Sequence, residues 1–500
     1  MRVLIVGGGS AGWITAANLQ ASLNGQGRGP VTLTLLEDPE TPRIGVGEAT
    51  IPTMRDMLHR FGLSEAEFLR ACDGTFKHGI RFDDWSAPGS SYFHPFQRHL
   101  GPRWSGAVAE WLMSDRDTPF ADLVSVQPHL IRQGLGPRTA DAADFGGDIP
   151  YAYHMDAEMF ADTLAQHCVS RGVRHIEGRV AEVLRDGADH VHTVVLNDGR
   201  RLQADLYVDC TGFRAVLSSG VTGAGWIDQS GHLLCDRAVT FRVPMDAAKP
   251  FAPQPFTRAR ALSAGWCWDI GLRSRRGRGY VYSSAHISAQ AAEEELCADE
   301  GGRRAEYDMR HIKFHVGRLA EPWSGNVVAI GLSAGFLEPL ESTGLYLADY
   351  AARVLAQMFP PDVTAATNSA LARRHNQLVG EVHDEILDFI VAHYAVAARR
   401  DTPFWQDATD PARHTERLAH LLELWQLRPP SFADFSHRFP PFGHVNYEFV
   451  LMGSGWGPAG LVSGNRPAPQ MAASVAHAKR IARDLPRHGA LLQSLVGKLN

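Results

Sequence analysis

The chain has 500 residues, of which 44% are hydrophobic and 21% are charged, a composition typical of a globular protein with a large core. Its formal net charge of -6 gives no electrostatic reason to expect nucleic acid or an acidic membrane surface as a partner. The 6 cysteines lack C-x-x-C spacing, so we expect reduced thiols and no metal centre. With no apolar run of membrane-spanning length and no room for a signal peptide before the first glycines, we expect a cytoplasmic protein.

A dinucleotide-binding loop opens the chain. Residues 3–6 predict a buried parallel strand, and a glycine-rich loop then leads into an apolar helix that we predict over residues 13–23. This is the G-x-G-x-x-G pattern in the strand-to-helix setting that pyrophosphate binding requires. A second strand over residues 31–36 ends at an acidic residue placed to hold a ribose hydroxyl. We therefore predict that an ADP moiety contacts Gly7, Gly9, Ser10, Ala11, Gly12 and Glu37.

Segments further along favour a flavin over a nicotinamide. Strands at residues 180–184, 191–196 and 201–206, separated by Asp-Gly and Asn-Asp-Gly turns, predict an antiparallel meander. It leads into another apolar strand, and a later one at residues 326–331 would complete the first sheet from distant sequence. Flavoproteins of the glutathione-reductase type interrupt their nucleotide-binding fold in this way. We predict this α/β fold, a Rossmann-like βαβ unit with a β-meander, joined by a substrate-binding sheet and a mainly helical C-terminal part.

Two modules follow from this pattern. We expect residues 1–350 to form an FAD-binding module, with substrate-binding segments interleaved at about 75–150 and 230–320. Residues 351–500 would form a mainly helical module on the substrate side, since amphipathic helices are predicted over 379–396 and around 415–427.

A candidate catalytic loop follows the strand at residues 326–331. Glu341 has apolar sequence neighbours, so we expect it to be partly desolvated and suited to accepting a proton; alternatively it is the acidic part of a first helical turn. Ser342, Thr343 and Gly344 stand where a loop meets a helix predicted to run to about residue 358. Backbone N–H groups there can hold an anion such as a halide, although plain N-capping uses the same residues.

Lys77 is one of only five lysines among 49 basic residues. Strand alternation places it on the face opposite to Phe76 and His78 and on the same face as Arg81. A lysine that faces inward could hold or capture an electrophilic oxidant, whereas most lysines are solvated surface groups.

Trp266 and Trp268 stand two residues apart in a predicted strand, so both indoles point to the same side. Beside a bound flavin they would form a wall that keeps an organic substrate off the ring while small ions and peroxide pass. The alternative is a pair of core aromatics in an ordinary sheet.

Together these motifs resemble the tryptophan halogenase family of flavin-dependent halogenases over nearly the whole chain. The matching segments are GGGSAGW at residues 7–13, GVGEATIP at 45–52, Thr-Phe-Lys at 75–77, Trp-x-Trp-x-Ile at 266–270 and PLESTG at 339–344. One departure is that Gly271 stands where the signature usually ends in proline, which would loosen the wall. Gly47, Ala49 and Gly331 join the expected cofactor-binding residues on this resemblance.

The resemblance implies two sites. Hypohalous acid would form from oxygen and a halide, chloride or bromide, held near Thr343 and Gly344 beside reduced FAD (FADH2). It would then move inside the protein to Lys77, which either hydrogen-bonds the acid or becomes an N-haloamine. Glu341, assisted by Ser342, would polarise the oxidant or accept the ring proton. A separate flavin reductase would supply FADH2, because no nicotinamide-binding domain is apparent; assembly as a homodimer stays open.

The resemblance also implies where an arene binds. His94 and Phe96 are similar to the family's His-x-Phe pair that sandwiches an indole, and Trp456 is either the opposite wall or ordinary packing. The glycine-rich segment around Trp456 offers few side chains to grip an ammonium and a carboxylate. We therefore expect indole or a simple indole derivative as the substrate, with free tryptophan as the second candidate. An FAD-dependent aromatic monooxygenase is the alternative of another class, which the tryptophan wall disfavours.

Overall fold

The computed structural model describes most of the chain. The described residues are 1–24, 31–42, 47–96, 107–114, 116–186, 190–220, 225–245, 252–359, 369–435, 441–457 and 469–497. Part of the loop after the first helix, residues 43–46 of the GVGEATIP-containing segment and most of the glycine-rich segment after Trp456 lie outside this set.

The described part contains strands from five sheets. In chain order they are β1 (Arg2–Val6), β2 (Thr32–Glu37), β3 (Glu48–Ala49), β4 (Thr75–Lys77), β5 (Gly79–Asp83), β6 (Ser91–Pro95), β7 (Ala152–Met155), β8 (Arg174–Glu177), β9 (Val180–Asp186), β10 (His190–Leu196), β11 (Arg201–Leu202), β12 (Leu206–Asp209), β13 (Trp226–Asp228), β14 (Arg237–Pro244), β15 (Thr257–Leu262), β16 (Gly265–Gly271), β17 (Arg275–Tyr282), β18 (Arg310–Lys313), β19 (Gly317–Leu319), β20 (Trp323–Ser324), β21 (Val327–Ala329) and β22 (Gly335–Phe336).

The α-helices concentrate towards the C-terminal end. They are α1 (Ser10–Leu19), α2 (Thr53–Phe61), α3 (Glu65–Ala71), α4 (Ala107–Leu112), α5 (Phe120–Val124), α6 (Gln127–Gln133), α7 (Ala157–Ser170), α8 (Ala289–Glu300), α9 (Gly344–Met358), α10 (Ser369–Ala395), α11 (Pro403–Ala408), α12 (Glu416–Trp425), α13 (His444–Gly453), α14 (Pro469–Arg483) and α15 (His488–Val496). From Gly344 onward the described part contains helices and no β-strand, which confirms the predicted helical C-terminal part.

The predicted nucleotide-binding sheet is present. Six strands lie in the order β20-β21-β12-β1-β2-β8, and β1 pairs in parallel with both β2 and β12. The β21 strand joins β12 in parallel from distant sequence, as the pattern at 326–331 predicted. At the end of β1 the chain turns through Gly7, whose φ of 120° requires glycine and whose missing side chain lets it pack on the Cys210 carbonyl.

The β-meander is also confirmed. Strands β9, β10 and β11 form an antiparallel sheet of three strands, and the chain then enters β12 of the parallel sheet. The predicted third strand over 201–206 is therefore divided, since only Arg201 and Leu202 pair with β10 while Leu206 begins β12. The fold class is the predicted mixture of α and β structure around a parallel sheet.

A second large sheet positions the candidate site. Seven strands lie in the order β18-β14-β17-β16-β15-β5-β6, with β16 between its two antiparallel neighbours β15 and β17. Next to it, β4 pairs with β7 in a separate sheet of three strands. The α10 and α13 helices share one large apolar cluster with β6, β15 and β16, so the C-terminal helices cover one face of this sheet.

All six cysteines are buried free thiols. Among the described helices we find none with the length and apolar character of a transmembrane span. Within the same residues, no group of His, Cys, Asp or Glu side chains is arranged to hold a metal ion.

Candidate active site

Lys77 is completely buried at the end of β4. Its ammonium donates hydrogen bonds to the Thr50 carbonyl oxygen at 3.0 Å and to Ser342 Oγ at 2.9 Å. Burial lowers the pKa of Lys77 to about 7, and the negative charge of Glu341 opposes that shift. Near neutral pH this lysine is therefore available both as an ammonium and as a free amine.

The alternation that was expected to put Arg81 on the same face as Lys77 does not apply, because the two residues lie in different strands. The chain leaves one sheet at Lys77 and enters another at Gly79, while His78 donates its backbone N–H to Pro255 between the two strands. Alternation holds only within one continuous strand, so it does not carry across this switch. Arg81 is instead held by Asp83 at 2.8 Å and is about one third exposed, with 32% of its side chain accessible.

Glu341 is almost completely buried, in line with the expected desolvation, and two histidines contact its carboxylate. His94 Nδ1 lies 3.0 Å from both carboxylate oxygens, and His393 Nε2 lies 2.8 Å from Oε1. Burial alone would raise the pKa of Glu341, but the hydrogen bonds from His94 and His393, together with the charge of His393, outweigh it and lower the pKa to about 2. The carboxylate is thus held ionised, not poised to be neutral.

The hydrogen-bond network assigns the protons on these histidines. Asn446 accepts the Gly443 N–H through Oδ1, so its amide nitrogen donates to His94 Nε2 and the proton of His94 sits on Nδ1, facing Glu341. His393 places Nδ1 2.7 Å from the Phe389 carbonyl and Nε2 on Glu341. Both of these partners are acceptors, so His393 makes both bonds only as a cation.

Ser342 links the carboxylate loop to Lys77. Its φ of 61° lies in the left-handed region, which is strained for a residue other than glycine. Thr343 is buried, and Gly344 begins α9 without a side-chain cap on its backbone N–H groups. A Cβ added to Gly344 would meet nothing within 4 Å, so there is open space beside this uncapped helix end.

A cavity borders both hydrogen-bond acceptors of Lys77. Thr50 and Ser342 contribute to its wall, and the other lining residues come from the segment leading into α2 and from the first turns of α2 and α9. These other residues are Ile51, Thr53, Met54, Met57, Leu345, Tyr346 and Asp349. The space lies between the partners of Lys77 and the first turns of α9, but Thr343 and Gly344, the predicted halide residues, do not line it.

Trp266 and Trp268 stand side by side on β16 as predicted. Their ring centroids are 6.2 Å apart and both side chains are buried. Trp268 pairs across the sheet with Gly279, where an added Cβ would lie 2.1 Å from the indole, so the missing side chain makes room for the ring. With Gly271 after the motif, both indoles still lie side by side within the core.

The residues of the opening loop fit an ADP moiety. Gly9 precedes α1 with no side-chain cap, and a Cβ added to it would meet nothing within 4 Å. Gly12 approaches the Gly7 carbonyl so closely that a Cβ would lie 1.9 Å from its oxygen. The uncapped N–H groups of Ser10 and Ala11 thus face open space at a helix end, the arrangement that binds a pyrophosphate.

Of the other predicted cofactor residues, Gly331 and Glu37 lie beside the opening loop, whereas Gly47 and Ala49 lie at β3. Gly331, with φ of 77°, packs so closely on Ala11 that a Cβ would lie 2.7 Å from the alanine side chain. Glu37 ends β2 and binds His175 Nε2 at 3.1 Å. Gly47 directly precedes β3 and Ala49 ends it; both are buried, and Glu48 between them pairs with Met155.

Two of the three predicted substrate contacts lie in the site. His94 is buried against Glu341, and Phe96 is half-buried with its ring centroid 5.3 Å from Lys77 Nζ. Trp456 follows α13, and its backbone N–H donates to the Leu451 carbonyl. Within the described part we find no ring contact between Trp456 and either His94 or Phe96. Phe389, Phe442 and Phe449 surround His94 at ring-centroid distances of 5.5, 6.5 and 6.1 Å.

Several site residues were not identified from the sequence. Thr50, His393 and Asn446 come from three distant segments; Thr50 and His393 bind the predicted catalytic residues Lys77 and Glu341, and Asn446 binds the predicted substrate contact His94. One signal was present for His393, because it lies in the helix predicted over 379–396, where a histidine among apolar residues needs a polar partner.

Comparisons with known proteins agree with this geometry. A family model described as tryptophan halogenase matches residues 2–466. Tryptophan 6-halogenase SttH of Streptomyces toxytricini is 34% identical to the chain, over 94% of this chain and 91% of the relative.

Solved structures give the same result. A tryptophan halogenase from Shewanella frigidimarina superposes with a TM-score of 0.90 at 31% identity, covering 99% of this chain and 97% of the other. Tar14, a tryptophan C-6 flavin-dependent halogenase (chlorinase) from taromycin biosynthesis, superposes with a TM-score of 0.89 at 32% identity, covering 99% of both chains. The chain therefore belongs to the tryptophan halogenase family and is a flavin-dependent halogenase.

Proposed function

We propose that this enzyme uses FADH2, oxygen and chloride or bromide to form hypohalous acid, and that Lys77 and Glu341 direct the halogen onto an indole ring. The observation that carries the proposal is the buried amine of Lys77, 2.9 Å from Ser342 Oγ, beside a carboxylate that two histidines hold ionised. A structural lysine would pair with a carboxylate, whereas this one donates to neutral oxygens.

The glycine-rich loop and the open ends of α1 and α9 fit a flavin. We propose that Gly7, Gly9, Ser10, Ala11, Gly12 and Glu37 hold its ADP part, with Gly47, Ala49 and Gly331 nearby. When bound, reduced FAD supplies the oxygen chemistry that converts halide to hypohalous acid. Thr343 and Gly344 would hold the halide at the positive end of α9. Trp266 and Trp268 would keep the arene away from the flavin.

Lys77 has two workable roles. As an ammonium it donates a hydrogen bond to hypohalous acid and keeps it next to the arene. As a free amine it displaces hydroxide from the acid to form an N-haloamine, with water as the other product. When hypohalous acid is the halogen donor, its oxygen–halogen bond breaks as the carbon–halogen bond forms. When the haloamine is the donor, its nitrogen–halogen bond breaks instead. In both cases the ring loses a proton.

Glu341 would stabilise the positive charge that develops on the ring and accept its proton. A carboxylate with a pKa of about 2 is a weak base, but the cationic ring that it faces is a strong acid, so the transfer is still downhill. Ser342 would connect this loop to Lys77 through its hydroxyl. His94 and Phe96 would hold the arene in place, with Trp456 near the pocket's outer edge.

We propose indole or a simple indole derivative as the substrate. The charged and polar groups beside His94 already bind one another, and the rings of Phe389, Phe442 and Phe449 enclose them, which suits an apolar arene. Free tryptophan is the second candidate, because the similar proteins are tryptophan halogenases by name.

The remaining predictions stay proposals. Residues 1–350 would bind FAD and activate halide, and residues 351–500 would form the substrate-side module. A separate flavin reductase would supply FADH2, and a homodimer remains open.

The test is a product screen. Purified protein is supplied with FADH2, oxygen and either bromide or chloride, and products from indole, substituted indoles and tryptophan are identified by mass. We expect halogenated product that requires halide, with indoles converted faster than tryptophan. Hydroxylated product without halide would instead support the monooxygenase, and faster conversion of tryptophan would replace our substrate assignment.

A further inference from the structure

Glu338 is a second buried carboxyl on the catalytic loop, between β22 and α9. Its side chain has no exposed area, and its Oε2 accepts the indole N–H of Trp266 at 3.2 Å. The Tyr394 hydroxyl and the Cys235 thiol face the same carboxyl. Its other oxygen, Oε1, has no hydrogen-bond partner within the described part of the chain.

The two carboxyls of this loop are in opposite states. Burial raises the pKa of Glu338 to about 7, although hydrogen bonds from Tyr394, Trp266 and Cys235 and the charge of His393 oppose the shift. Glu341, three positions further on, is held ionised. Adjacent residues of α10 serve both, since His393 binds Glu341 and Tyr394 faces Glu338.

Three buried contacts fix the loop to different elements. Glu338 ties it to β16 through Trp266, Glu341 ties it to β6 and α10, and Ser342 ties it to β4 through Lys77. Strained backbone such as that of Ser342 persists only where surrounding contacts hold it. The Glu338 contact is the one that joins this loop to the tryptophan pair.

We propose that Glu338 is a positioning residue that ties Trp266 to the catalytic loop, so that the tryptophan wall and Lys77 keep a fixed spacing. The proposal rests on the proposed function, since it concerns the path between the flavin side of the wall and Lys77. Losing the acceptor leaves a buried indole N–H without a partner, which favours rotation of the ring or displacement of the loop. Oxidant would then escape instead of reaching the arene.

The first measurement is independent of activity. Hydrogen exchange is followed in peptides covering residues 265–271 and 335–343 of the wild-type protein, Glu338→Ala and Glu338→Gln. We expect Glu338→Ala to speed exchange in both segments together and Glu338→Gln to leave both protected, because the amide oxygen still accepts the indole N–H. Faster exchange confined to residues 335–343 would contradict the tie between loop and wall.

The second measurement is how much halogenated arene forms per FADH2 consumed, with bromide and the best arene, alongside released peroxide. We expect about a tenfold lower ratio in Glu338→Ala, the scale of one lost buried hydrogen bond, with unchanged FAD affinity. Glu338→Gln should stay within about twofold of wild type. Trp266→Phe removes the donor but keeps a ring, so it should lower the ratio too, and the double variant should be no worse than the singles.

The outcomes separate the two proposals. A purely structural role would lower the rate or the yield of folded protein while leaving product per FADH2 unchanged, and that result would overturn the positioning role. Additive losses in the double variant, or a Glu338→Gln ratio as low as that of Glu338→Ala, would do the same. If Glu338→Ala does not fold, the amount of halogenated arene formed per FADH2 is compared between wild type, Glu338→Gln and Trp266→Phe. If wild-type protein halogenates no arene, the proposed function fails, and the exchange measurement still decides whether Glu338 ties loop to wall.

Discussion

Strand β16 separates two groups of buried charged side chains, one on each face of the seven-stranded sheet. On one face, Trp266 contacts the loop that carries Glu341, and Lys77 lies beside that loop. On the other face, Asp269 pairs across the sheet with Arg278, which is almost completely buried. Alternation along a single strand thus separates a reactive site from an ion cluster.

The two groups handle charge differently. Arg278 contacts Asp299, lies 3.1 Å from Glu300 and lies 3.4 Å from Asp269. Burial would lower its pKa, but Cys267, Asp269 and Asp299 raise it. Lys77 contacts neutral oxygens, and its pKa is lowered. The paired cluster holds the sheet together, whereas the lysine is kept in an unfavourable state that chemistry can use.

The largest effect that we expect comes from Glu341→Gln. The amide removes the negative charge, although its remaining oxygen can still accept from His94 and His393, so the variant tests the charge and the basicity of this group. Halogenation should fall about 10²- to 10⁴-fold, the usual contribution of a proton-transfer group. Turnover with bromide is the measurement, with Glu338→Gln as the matched control. Turnover above half the wild-type value in Glu341→Gln would contradict its role.

The second prediction compares stability on the two faces. Arg278→Met removes the one fully buried cation from Asp269, Asp299 and Glu300, which keep only partly exposed arginine partners, and should lower the free energy of unfolding by about 3–5 kcal/mol. Lys77→Met should leave it unchanged or raise it. The folded state lowers the pKa of this lysine, so below the unfolded value of about 10.5 its charge works against folding. Urea unfolding at pH 7 measures both, and equal losses would mean that the two faces do not differ.

His393→Phe should have a smaller effect on rate, about tenfold, because it removes one donor to Glu341. Without the His393 cation, burial raises the pKa of Glu341. The variant should therefore lose activity as pH falls from 7 to 5, because Glu341 becomes protonated, whereas Glu341 of the wild type stays ionised over this range. His375→Phe is the control, since His375 is buried on the same helix but binds the Ala351 carbonyl. Superimposable pH profiles for wild type and His393→Phe would contradict this role of His393.

The smallest effect concerns pH and Lys77. With a pKa of about 7, its ammonium fraction falls from about nine-tenths to about one-tenth between pH 6 and 8. Halogenation rate should therefore fall about ninefold if the ammonium holds hypohalous acid, or rise about ninefold if the amine forms a haloamine. The Glu338→Gln protein is used for this profile, because the Glu338 carboxyl titrates in the same range. A flat profile would contradict a lowered pKa.

Local patterns predicted the nucleotide-binding half well. The glycine-rich loop, the meander and the strand at 326–331 each follow from short-range rules, and the α/β fold that they imply is confirmed. The helix after Gly344 was also predicted, because its apolar periodicity is contained in its own sequence.

The electrostatics of the site could not be predicted in this way. Glu341 has apolar neighbours in sequence, yet His94 and His393 reach it from 247 and 52 positions away. The alternation rule failed at His78 because the chain changes sheets there, and only the tertiary structure shows that switch. The residues that set the charge of the site therefore come from contacts between distant segments.

The most direct test of the account is the Lys77→Met protein, with the exposed Lys313→Met as its control. Each variant is given FADH2, oxygen, bromide and indole, and FAD affinity, oxygen consumption and bromoindole are measured together. We predict that Lys77→Met binds FAD and consumes oxygen like wild type but forms no bromoindole, while Lys313→Met behaves as wild type. Bromoindole formed by Lys77→Met at the wild-type rate would contradict the central role of this lysine.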